Sequence, residues 1–180
     1  MFTKYLHALD RSVRGVGLLL TDRGGCTMRR PGRGPPAVPS RWADIIEEAA
    51  ATADTYREDG YEVELLHPGD VVPIPDTVAF DILLPGSEFE AVEALAGEFD
   101  APEVAVFTAQ ESGFGYAVIV ATAPGTSTAI CCPIYYELAS IDELLEAIED
   151  AIELHLRPLN RRSKVVIKID EPDLLFGTLE

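Results

Sequence analysis

Apolar residues recur along this chain with two periods, and the switches between them divide most of it into elements. Ser40 can cap a helix in which Trp42, Ile45, Ile46, Ala49, Ala53 and Tyr56 trace one face at a 3.6-residue spacing. Gly60 suits the end of that helix. Residues 61–66 read as a short strand. Residues 67–76 contain Pro68, Pro73 and Pro75 and are expected to form an irregular loop. Residues 77–84 are largely apolar, which predicts a central strand.

Ser87-Glu88-Phe89-Glu90 has the capping-box pattern, and Phe89, Val92, Leu95, Ala96 and Phe99 follow as one helical face. Three strands come next, over 103–109, 115–122 and 127–134. The segments joining them are short enough only for hairpins, so they predict an antiparallel meander. A second capping-box pattern, Ser140-Ile141-Asp142-Glu143, predicts a long helix with Ile141, Leu144, Leu145, Ile148, Ile152 and Leu156 inward and Pro158 at its end. Residues 163–169 read as a last strand, with Lys164 and Lys168 among apolar neighbours. The predicted order is α-β-β-α-β-β-β-α-β. It implies an α+β fold: a single mixed or antiparallel β-sheet of about six strands, with two or three helices packed mainly on one face.

Composition agrees with a globular chain and adds one strong feature. Of 180 residues, 47% are apolar and 25% charged, which is ordinary for a single domain. The net charge of -17 is not ordinary: 31 acids face 14 basic residues, and only Lys4, Lys164 and Lys168 are lysines. Such a charge repels itself in dilute buffer. At molar salt the Debye length falls to about 3 Å, and the repulsion largely disappears while hydrated carboxylates keep the surface soluble. The balance fits the cytoplasm of a salt-loving cell. It makes nucleic acid an unlikely partner, since sequence-independent binding needs a basic face.

The charge is also unevenly placed. Residues 1–41 hold eight basic residues against Asp10 and Asp22, and residues 24–40 are rich in Gly, Pro and Arg without a period. Residues 1–40 are therefore expected to be a disordered basic leader, 41–170 an acidic α+β domain, and 171–180 a C-terminal tail. A basic leader on so acidic a domain suggests that translation starts at Met28 and that 1–27 reflect a mis-assigned start; the intact mass of native protein decides this. Three cysteines, two of them adjacent, make no disulfide framework, which suits a reducing compartment. No apolar run reaches the 18 residues of a membrane span, and no export signal fits, so the expected location is cytoplasmic.

The helix with Trp42, then Asp59-Gly60-Tyr61-Glu62-Val63, Pro68-Gly69-Asp70 and Val72-Pro73, resembles the opening of small haloarchaeal proteins of unknown function. The ending Asp170-Glu171-Pro172-Asp173-Leu174-Leu175-Phe176 is similar to the acidic, proline and aromatic tail of the same group. The resemblance spans about 41–178. It implies an archaeal, intracellular setting and supplies no activity, cofactor or catalytic residue.

Candidate chemistry is sparse. Cys131 and Cys132 are neighbours on a strand and must point to opposite faces, so they are expected to be buried and inert. A reactive thiol, if there is one, belongs to the sheet face that helices leave uncovered. His67 and Asp70 sit where a strand gives way to a loop, a common place for binding groups. Tyr135, Tyr136 and Glu137 end the meander and, with Glu111 from the hairpin, are placed to line a ligand pocket. His155 falls on the apolar stripe of the last predicted helix, where a structural role is expected. The acids from Asp142 to Glu153 read as a solvated face. No phosphate-binding loop, dinucleotide glycine fingerprint, nucleophile elbow or Cys-x-x-Cys motif is present. No catalytic residue, metal site or cofactor is therefore assigned. The expected function is a non-catalytic interaction or small-ligand-binding module, self-associating through a sheet edge or through Leu174-Leu175-Phe176. The alternative is an enzyme of unknown class at the His67/Asp70 loop.

If the negative charge serves to hold water at high ionic strength, the denaturation midpoint should rise steadily from dilute buffer to molar KCl. A midpoint that does not respond to salt would remove the premise.

Overall fold

The computed structural model describes residues 41–160 and 163–176; the expected leader, the Ser40 cap and the end of the tail lie outside them. The first element is α1 (Trp42–Glu58), followed by β1 (Glu62–Leu65), β2 (Asp70–Ile74), β3 (Ala79–Leu83) and α2 (Gly86–Leu95). The meander β4 (Glu103–Glu111), β5 (Phe114–Thr122) and β6 (Thr128–Glu137) comes next, then α3 (Asp142–Ala147), β7 (Ile152–Arg157), β8 (Val165–Ile169) and α4 (Asp173–Phe176). The fold is α+β.

The strands form two four-stranded sheets rather than the single sheet of about six that the sequence predicts. Sheet I has the order β1-β6-β5-β4 and sheet II the order β2-β3-β7-β8. Both are mixed: β1 runs parallel to β6 and β3 parallel to β7, while the other pairs are antiparallel.

Two misread segments account for the difference. The expected loop over 67–76 contains β2, and Pro73 is accommodated because β2 is an edge strand whose outer N–H has no ladder partner to lose. The expected long helix stops at Ala147, and Ile148 is already extended (φ -73, ψ 123). Its second half is β7, so Pro158 follows a strand and ends no helix. Ile148, Ile152 and Leu156, four apart, satisfy the helical period and the strand period together. Neither capping box forms. Pro85 is the residue ahead of α2, and the Ser140 hydroxyl donates to the Glu137 carbonyl (2.9 Å) in a 3-10 turn.

The meander is the middle of the molecule. Gly115 to Ala121 on β5 and Thr128 to Tyr136 on β6 are buried without interruption, so both faces of sheet I are covered. On one face α1 packs against β6: Trp42 meets Tyr135 edge-on at 4.9 Å, and the Cys131 thiol donates to the Ala49 carbonyl at 3.5 Å. On the other face Tyr136 packs on Phe80 of sheet II (5.5 Å) and on Phe176 of α4 (5.7 Å). Sheet II contributes Phe80, Ile82, Leu154, Leu156, Val165 and Ile167 to the same core. Within 173–176, Leu175 is buried and its carbonyl accepts from the Tyr136 hydroxyl at 3.4 Å.

Two glycines fix the β4–β5 hairpin. Ser112 (φ 53) and Gly113 (φ 83) both take positive φ, the type I′ geometry that matches strand twist. Gly115 lies opposite Tyr136, and a Cβ there would come within 2.3 Å of the tyrosine ring. The ring occupies the space that the missing side chain leaves, so glycine is required by packing at this position.

Candidate functional site

The residues singled out in the sequence do not gather into one site. His67 is exposed at the end of β1, and its partner is Glu88 in the first turn of α2. One Glu88 oxygen accepts from the His67 backbone N–H (2.7 Å) and the other from the ring Nδ1–H (2.8 Å). Asp70 is not joined to that pair; its carboxylate accepts from the Val71 N–H at 3.0 Å. The two positions three apart in sequence are separated by the turn that carries the chain from sheet I to sheet II.

Tyr135 and Tyr136 are divided by the strand period. Tyr135 faces α1, where burial and then the Asp70 carboxylate push its hydroxyl upward from the usual tyrosine range. Tyr136 faces sheet II, and burial pushes it up to about 12. Tyr116 stands directly opposite Tyr135 on β5 and is almost wholly buried. Burial and Glu111 raise its pKa, with Arg41 acting against them. Arg41 in turn reaches Glu111 at 3.2 Å. Asp70, Glu111 and Tyr135 therefore act around the start of α1, beside Trp42, Tyr116 and Arg41. His67 and Tyr136 belong elsewhere.

A second polar group escaped the sequence analysis. On the outer face of sheet II, Arg157 Nε donates to both Asp81 oxygens (2.6 and 2.8 Å), and both side chains are mostly covered. Beside them His155 donates from Nε2 to Glu153 (2.7 Å), while Lys164 Nζ approaches His155 Nδ1 at 3.5 Å. His155 is thus a strand residue, not a member of a helical stripe. The alternation Ile152-Glu153-Leu154-His155-Leu156-Arg157 was the signal that would have found this face. An ion pair as well covered as Asp81–Arg157 is costly to break, up to about 3–5 kcal/mol, because one charge is stranded. The Asp81–Arg157 pair links β3 to β7 across the sheet.

Both thiols are buried, and neither sheet face is left open: Cys131 lies under α1, and Cys132 points between the sheets. Their burial is as the sequence leads one to expect, and the face that the helix leaves to Cys132 is covered by sheet II. Burial pushes Cys131 up to about 12 against a lowering by Arg57; burial, then Cys131, then Glu88 push Cys132 up as well. Among the described residues no group of three or more His, Cys, Asp or Glu is placed to hold a metal ion, and no helix is long and apolar enough to cross a membrane.

The described fold coincides with a family match: the model of a family of unknown function (DUF7529) covers residues 33–177. The chain belongs to that family. No curated protein and no solved structure matches it. For this DUF7529 chain the match spans α1 through α4 and thus includes both polar groups and the full meander.

Thiol reagents should label Cys131 and Cys132 only as fast as the protein opens; rapid labelling at native stability would show a conformation in which α1 or sheet II lifts away. Both folded-state pKa values lie above those of a free thiol. Their stabilising effect is therefore complete below the unfolded pKa and is lost as pH climbs from about 9 toward 12. A Cys131→Ala/Cys132→Ala variant should lose less stability over that window than the native chain.

Proposed function

We propose that the protein is a non-catalytic interaction module of a salt-rich cytoplasm, and that it works by pairing an extended strand onto the open edge of β4. The supporting observation is a contrast among the four sheet edges. Exposed edges invite pairing, and proteins ordinarily blunt them with charge, proline or shortness. β1 has four residues and carries Glu62 and Glu64. β2 contains Pro73, and β8 carries Lys168, held outward by Asp170 at 2.7 Å. Among the described residues, β4 has neither proline nor shortness, its charges stand only at its two ends, Glu103 and Glu111, and α4 packs against part of it. It is nine residues long, pairs with β5 in unbroken register, and is uncharged from Val104 to Gln110.

Which backbone groups face outward follows from the hairpin. Glu111 and Phe114 flank the two-residue turn and close its hydrogen bond, so alternate residues back along β4 bond to β5. Val104, Val106, Thr108 and Gln110 then direct their N–H and C=O groups away from the sheet. Such a row is the template used in strand addition, where main-chain bonds give affinity and alternate side chains give selectivity.

Among the described residues Cys131, Cys132, His67 and His155 each have a structural partner, which supports the non-catalytic reading. The alternative of an enzyme at loop 67–70 rests on His67, whose exposed ring is oriented by Glu88 as a general base would be.

A soluble peptide copying residues 103–111 should slow amide exchange at Val104, Val106, Thr108 and Gln110 and leave β8 unchanged. Thr108→Pro removes an outward N–H from an exposed edge position and should abolish the effect. Absence of protection with the native chain would sink the edge-pairing reading.

A further inference from the structure

We infer that the strand paired on β4 is β4 of a second copy of this chain, joined antiparallel about a two-fold axis through Val106 into a continuous eight-stranded sheet. The inference rests on the edge-pairing reading and names its partner.

Charge selects the occupant. The chain carries -17, so a basic partner would be drawn to almost any acidic surface, yet β4 offers it no acid between Glu103 and Glu111. A stretch free of charge from Val104 to Gln110 suits a partner strand that is itself free of charge, and β4 is one. Two molecules of -17 can meet only where charge has been withheld, and this edge is such a place.

The register follows from the same residues. Pairing centred on Phe107 would set Glu103 directly against Glu111 of the other copy, a like-charge contact that is destabilising. Moving the axis to Val106 sets Glu103 opposite Ala109, Val104 opposite Thr108 and Ala105 opposite Phe107. Val106 then exchanges both of its hydrogen bonds with its own symmetry mate, consistent with its outward N–H and C=O. This arrangement is isologous and closes after two chains, so it makes a dimer and not a filament.

Apolar surface beside the strand adds to the contact. Val104, Val106 and Phe107 are only half-buried in the single chain, and α4, which packs near β4, leaves Leu174 exposed.

The salt dependence has a definite sign. Joining two polyanions is opposed by repulsion at low ionic strength, and salt screens that repulsion, whereas a basic partner would be released by salt. Sedimentation equilibrium on the full chain, with circular dichroism confirming the fold at each salt, should show a dimer whose Kd falls about tenfold between 0.2 and 2 M KCl. Amide exchange at Val104, Val106 and Thr108 should slow as protein concentration rises. Thr108→Pro should be monomeric with an unchanged spectrum, and Thr108→Lys, which keeps the backbone donor, should weaken the dimer at least tenfold. A native chain that stays monomeric in both salts overturns the inference; if the 103–111 peptide still protects the edge, the pairing reading survives and the partner is another protein. A dimer that both variants leave intact also overturns it, because the contact then lies elsewhere.

Discussion

The structure depends on one constraint: the β5–β6 pair is apolar on both faces and must be covered on both. Sixteen consecutive or nearly consecutive positions, Gly115–Ala121 and Thr128–Tyr136, are buried. At about 25 cal/mol per Å² of apolar surface, leaving either face open would cost far more than a domain's net stability. One cover is α1, a single helix with Ile45, Ala49 and Ala53 turned inward. The other is a second sheet, because a pair of short helices could not span the width of the remaining face. Sheet II in turn has only one apolar face, and its outer side is left to ion pairs such as Asp81–Arg157.

That constraint also decides the fate of the residues that look most chemical. Adjacent residues on β6 go to different layers, so Cys131 and Cys132, and likewise Tyr135 and Tyr136, never share an environment. Cys131 and Tyr135 belong to the helix layer; Cys132 and Tyr136 belong to the space between sheets. Burial raises the pKa of all four, which keeps them neutral and makes them packing groups. An apparent cluster in sequence becomes two separate layers in space.

The meander, α1, α2 and the last strand were legible because their periods were unambiguous and their turns carried Gly or Pro. β2 was hidden by Pro73, whose cost vanishes on an edge, and edges cannot be identified from one strand alone. β7 was hidden by a coincidence, since Ile148, Ile152 and Leu156 repeat every four residues, which both periods allow. The polar alternation Glu153, His155, Arg157 breaks the tie for a strand, and giving it weight would have revealed sheet II and its polar face. The sequence groups the site candidates differently from the structure: Asp70 is read with His67, yet its carboxylate acts on Tyr135, while Tyr136, read with Tyr135, faces the other layer. The Glu88 partner of His67 lies 21 residues along the chain and had no local signal.

What remains available for function is therefore backbone more than side chain. Among the described residues the histidines and cysteines have internal partners, and the edge-pairing proposal therefore rests on main chain: the N–H and C=O groups of four residues on β4. Leaving that edge unguarded has a cost in aggregation risk, which the dense negative charge elsewhere offsets by keeping chains apart in any other orientation. If the proposed dimer forms, the charge and the edge act together. On the proposed dimer, repulsion would disfavour nonspecific encounters, and strand-to-strand approach along the uncharged span from Val104 to Gln110 would carry a small charge penalty.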